Sequence, residues 1–149
     1  MSSYDPIDCF IRCARKVCEE IERFAPMRRD ELLSSLIDLL SAANLLTGQR
    51  LEVPPQDFDI ENEGVSQLIN IPNDIWFYEV FNPLDGQSVR ARSLRDSLGD
   101  VYSSLKAGLL VLDRDAEMKS NVLWELKNDF EYHWGRDLID VIRFLMLSK

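Results

Sequence analysis

The sequence predicts an all-α fold: a single-domain helical bundle of four to six helices, with one long loop between the second and third helical regions. Three observations carry this reading. Apolar residues return every three or four positions along four stretches. Start and stop signals for helices bracket those stretches. The one strand-like segment has no second clear strand nearby with which to pair. At 149 residues and 46% hydrophobic content, the chain can bury a core without disulfide or metal staples, which predicts one domain over 1–149.

Asp5 before Pro6 reads as an N-cap followed by a first helical residue, with Asp8 favouring the positive helix end. Ile7, Phe10, Ile11, Ala14, Cys18, Ile21 and Ala25 then form one apolar stripe, interrupted at Pro26. A second helix starts near Arg28 to Asp30 and stops at Gly48, and its broad apolar arc of Leu32, Leu33, Leu36, Ile37, Leu39, Leu40, Ala43 and Leu46 predicts a central position. From Gly48 to about Asn73 prolines and acidic residues replace any steady period, so a long connection is expected, with room for a short helix near Val65 to Ile71. The aromatic block IWFYEVF at 75–81 has the composition of a strand, but for want of a partner it is read as one or two helical turns ended by Asn82 and Pro83. Ser93 with Asp96 opens a third helix, along which Leu94, Leu98, Val101, Leu105, Gly108, Leu109 and Leu112 recur. The last periodic region runs from about Glu117 to Leu147, with Leu123, Leu126, Phe130, Trp134, Leu138, Val141 and Leu145 on one side, and Gly135 either kinks it or splits it in two.

Charge narrows the function. Lys and Arg total 17 against 26 Asp and Glu, a net charge of -9 that repels phosphate backbones and anionic lipid. Nucleic acid is therefore not an expected partner. No window reaches the roughly 18 to 20 apolar residues of a membrane span, and the opening MSSYDPIDCFIRCARK has no uninterrupted apolar core of a leader. These features predict a cytoplasmic protein with no membrane partner. Cys9, Cys13 and Cys18 share one helix and read as reduced thiols. Too few ligands accompany them for a zinc site, and no cofactor is expected.

His133, the only histidine, stands four residues after Asp129 and four before Asp137, a spacing that can orient an imidazole or simply satisfy a structural ring. Asp96 with Asp100, and Glu19 with Glu22, repeat carboxylate spacings found in metal-dependent hydrolases, but a solvated helix face and chance explain them better. Neither a nucleophile elbow nor a phosphate-cradling glycine loop occurs. Trp76, Phe77, Tyr78 and Phe81 cannot all face one core from so short a segment, so they either roof the bundle or line a recognition groove.

The segments YEVFNPLDG at 78–86, SLRDSLGDVYSSLKAGL at 93–109, and Trp124-Glu125 followed by FEYHWG at 130–135 together resemble a bacterial helical family known as domain of unknown function 5063. The resemblance implies an all-α domain and marks Tyr78, Glu79, Trp124, Glu131, His133 and Trp134 as a shared set, while implying no activity. The expected function is a noncatalytic interaction or regulatory domain for a protein or peptide partner, with a homodimer open. Its candidate ligand or partner site is Trp76, Tyr78, Glu79, Glu131, His133 and Trp134. The alternative is a small-molecule or metal-dependent enzyme centred on His133 and the nearby carboxylates Asp129 or Glu131.

Overall fold

A computed structural model describes residues 5–24, 28–55, 60, 71–72, 74–80 and 89–147. Among these, five α-helices form the bundle: α1 (Pro6–Glu22), α2 (Arg29–Leu46), α3 (Leu94–Arg114), α4 (Lys119–Tyr132) and α5 (Trp134–Leu147). A 3-10 turn, Ala116–Met118, leads into α4.

Local chemistry sets the helix starts. The Asp5 carboxylate accepts from the Ile7 N–H at 2.9 Å, and Pro6 supplies a first-turn position that needs no donor. The Ser93 hydroxyl accepts from the Asp96 N–H at 3.0 Å and caps α3 in the same way. Each helix then turns its stripe inward. Phe10, Ala14, Val17, Cys18 and Ile21 of α1 meet Leu32, Leu36, Leu39, Ala43 and Leu46 of α2, and α3 and α5 close the same core with Leu98, Val101, Leu105, Leu138 and Val141. Helix α2 packs on α1, α4 and α5, yet Ile37 and Leu45 on its far side face solvent, so its broad arc is buried on one flank only.

The long connection is tied down at its start. The Glu52 N–H donates to Ser120 Oγ at 2.8 Å, and the Asn121 amide donates to the Glu52 carbonyl at 3.4 Å. Ile60 and Ile71 join the core. The short helix expected near Val65 to Ile71 lies outside the described residues, apart from Ile71 itself.

The expectation of helical turns at 75–81 is overturned. Residues Trp76–Val80 form strand β1, paired antiparallel with β2 (Val89–Ser93), in the register Trp76 to Ser93 and Phe77 to Arg92. The aromatic composition prevails once a partner exists. The β2 segment, VRARS, carries two arginines, which hide its strand character. The Ile75 carbonyl accepts from the Leu94 N–H at 2.8 Å, joining the hairpin directly to the first turn of α3. The expected stop at Asn82 and Pro83 lies outside the described residues.

The long C-terminal pattern does divide, but at His133 rather than at Gly135. His133 leaves the helical region at φ -134 and ψ -87. Gly135 is required by close approach: a Cβ there would collide with the Phe130 carbonyl oxygen and stand 2.8 Å from its ring. The first obstacle is backbone and cannot swing away. Gly135→Ala is therefore expected to destabilise the fold by about 3 kcal/mol, read as a fall in Tm of roughly 10 °C by calorimetry. An unchanged Tm would show that the α4–α5 junction is looser than this packing requires.

Candidate functional site

The hairpin has an inner face and an outer one. Phe77 and Arg92, opposite each other across the two strands, both turn toward α5. The Phe77 ring stacks on Phe144 with centroids 5.3 Å apart and planes at 28°. The Arg92 guanidinium donates to Asp137 Oδ1 at 3.1 Å and to Asp100 Oδ2 at 2.8 Å, while its Nε donates to Ser97 Oγ at 3.3 Å. Asp137 and Phe144 are seven residues, two helical turns, apart on α5, so one stripe of that helix receives both hairpin contacts. The Arg92 and Asp137 side chains are only 19% and 13% exposed. Such shielding makes the pair stronger than a surface ion pair, at the cost of desolvation. On the outer face Trp76 is 57% exposed.

The second group of predicted residues surrounds the α4–α5 junction. Glu131 and Tyr132 are exposed on the last turn of α4. The His133 ring is 72% exposed, and its Nδ1 stands 3.6 Å from Asp129 Oδ1, beyond hydrogen-bond length. Asp137, read from the sequence as a second flank of His133, pairs with Arg92 instead. The helix is broken at His133, so the wheel that placed Asp137 beside it does not run through. Trp134 is wholly buried. Its indole N–H donates to the Leu126 carbonyl at 2.9 Å, and its ring meets Phe130 at 4.8 Å and Phe10 at 6.2 Å. Trp124 is half-buried on α4. The predicted residues thus fall at two places: Trp76, Tyr78 and Glu79 along β1, and Glu131, His133 and Trp134 at the junction. Among the described residues no three His, Cys, Asp or Glu side chains converge as a metal site requires.

Sequence reading missed a polar cluster between α1 and α3. The Tyr102 hydroxyl donates to Glu22 Oε2 at 2.6 Å, and Lys106 Nζ approaches the same oxygen at 3.0 Å. Tyr102 and Lys106 lie one turn apart on α3, which is a legible signal, but Glu22 is 80 residues away from Tyr102 in the chain. Burial works against the Glu22 carboxylate, yet the hydroxyl and the ammonium outweigh it and hold Glu22 below its ordinary 4.5. Burial, then the Glu22 carboxylate, push the Tyr102 phenol above its ordinary 10. Burial also raises the Cys18 thiol to about 12 and the Cys13 thiol to about 11, the latter with help from neighbouring Cys9.

These shifts fix a pH window. Glu22 is depressed, so its contribution is fully present above its unfolded pKa of 4.5 and disappears as pH falls through the lower folded value. Tyr102 is raised, so its contribution is present below 10 and disappears as pH climbs through the folded value. With Glu22 partly solvated, Tyr102→Phe is expected to cost about 1 kcal/mol near neutral pH. Thermal melts across the acid range check the cause: the gap between wild type and variant should close as Glu22 protonates, and a constant gap would assign the loss to packing. His133→Ala, by contrast, should change stability by less than about 0.5 kcal/mol in urea unfolding, as a solvated side chain with no close partner does; a larger loss would make the ring structural.

The fold is shared. A crystal structure of protein BF1032 from Bacteroides fragilis superposes with a TM-score of 0.69 at 19% identity, covering 96% of this chain and 94% of that one. At that identity the likeness concerns the fold alone. No curated protein matches the chain. A family model matches residues 5–149, and the chain belongs to the family described as Domain of unknown function (DUF5063).

Proposed function

We propose that this chain is a noncatalytic interaction domain of the cytoplasm, which recognises a protein or peptide partner through the outer face of the β1–β2 hairpin. One observation carries the reading: Trp76 is 57% exposed, while the opposite side of the same ribbon is fixed to α5 by the Phe77–Phe144 stack and the Arg92 ion pairs. A large amphipathic ring held on a braced strand loses little freedom on binding, and such aromatics dominate interface energies. Tyr78, two residues further along β1, takes the register of Trp76 and belongs to the same proposed site, whereas position 79 takes the register of Phe77, so Glu79 is not proposed for the outer face. Glu131 and His133 at the exposed end of α4 form its second, polar contact area, with Trp134 supporting them from the core. The acidic run in the long connection, most of which lies outside the described residues, favours a partner carrying basic side chains.

The enzyme reading at His133 has a single point in its favour, the Asp129 carboxylate 3.6 Å from Nδ1. A largely solvated imidazole is poorly placed for acid–base work, which depends on burial or a close partner. We therefore favour recognition.

A random peptide library selected against the immobilised chain tests the proposal. Enriched peptides are expected to lose at least ~10-fold in affinity against Trp76→Ala, as truncation of an interface hot spot does, while the variant's Tm stays at the wild-type value. If a second copy occupies the surface, sedimentation velocity will show a concentration-dependent dimer that Trp76→Ala dissolves. Peptides whose affinity survives the substitution would remove the hairpin from the reading. Turnover of a small substrate abolished by His133→Ala would replace the reading with the enzymatic one.

A further inference from the structure

Cys9 and Cys13 lie one turn apart on the same flank of α1. Both are half-buried beside the core, and neither is in a disulfide. Residues so spaced on a helix hold their Cβ atoms roughly 5–6 Å apart, wider than the 3.5–4.5 Å or so that a direct disulfide needs. One interposed metal atom suits that gap better. With a thiolate–metal bond of about 2.3 Å, as for the d10 ion zinc, two collinear bonds set the sulfur atoms, rather than the Cβ atoms, about 4.6 Å apart.

We propose that Cys9 and Cys13 form a two-thiolate site for a soft d10 cation taken in linear coordination, with Cu(I) as its best-matched representative. Thiolate sulfur selects such ions over hard cations, which need several oxygen ligands. On binding, each thiol releases one proton to solvent and forms one sulfur–copper bond; the copper stays monovalent, so no oxidant or reductant is involved. The bound unit carries one negative charge, which the nearby Arg12 guanidinium offsets and the Asp38 carboxylate opposes. Cys18 cannot contribute. It stands nine residues, two and a half turns, from Cys9, on the opposite side of α1, and is buried in the core. The site is independent of the hairpin surface.

Anaerobic titration of the reduced full chain with Cu(I) held by bicinchoninate provides the test. Wild type is expected to withdraw one equivalent, bleaching the coloured copper complex, and to rise in Tm as a bound ligand requires. Cys9→Ser and Cys13→Ser should each weaken binding by more than ~100-fold, because loss of a direct ligand exceeds the 10- to 100-fold cost of losing an outer contact. Both variants keep Cys18 and the core intact, and melting curves confirm that they fold. Withdrawal of no copper by wild type would overturn the site. So would wild-type withdrawal by either single variant, or by the double variant that keeps Cys18 as its sole thiol.

Discussion

The burial of Trp134 is the constraint on which the arrangement of helices turns. Its ring lies between Phe10 of α1 and Phe130 of α4 while it forms the first residue of α5, so one side chain ties three helices. An indole is stable inside a protein only when its N–H has an acceptor. Here the acceptor is the Leu126 carbonyl, whose second lone pair is available beyond the helical bond. Reaching it requires α5 to fold back closely on α4. The approach brings the Phe130 backbone against Gly135, where any side chain would collide.

What happens at the surface follows from that interior fit. A continuous helix through 119–147 could not place Trp134 inward and Gly135 against Phe130, so the chain breaks at His133 and turns its ring into solvent. The same fit orients α5 so that Asp137 and Phe144 meet the hairpin. The position of Trp76 is thus inherited from the core through two steps: indole to α5, then α5 to β1 and β2.

Where a signal is local, the amino-acid order discloses the fold. Asp5-Pro6 and Ser93 with Asp96 mark helix starts within three residues, because a cap is completed by the chain immediately after it. The apolar stripes of α1, α2 and α3 are legible for the same reason. The hairpin is not, since β2 is stabilised by Arg92 reaching Asp137, 45 residues away, and no pattern within VRARS anticipates that partner. Sequence spacing puts Asp137 beside His133 only if the helix runs unbroken between them, and it does not. Trp76 and Trp134 show the limit most plainly. Both are tryptophans beside other aromatics, yet one is buried and the other mostly exposed. Indole suits a core and an interface equally, so only the surrounding packing separates the two roles.

That separation also decides how the two exposed places compare as recognition surfaces. Binding must overcome the entropy of every group it orders. Trp76 is carried by a strand paired along its length and backed by a ring stack and a shielded ion pair, so a partner needs to fix little beyond the indole's own two torsions. His133 belongs to a one-residue break between helices, with its nearest carboxylate 3.6 Å away and most of its surface in water. A ligand there would have to desolvate the ring and orient it at once, without a partner already in hydrogen-bond contact. The lower ordering cost therefore favours the braced strand over the histidine turn as the main part of the proposed recognition surface.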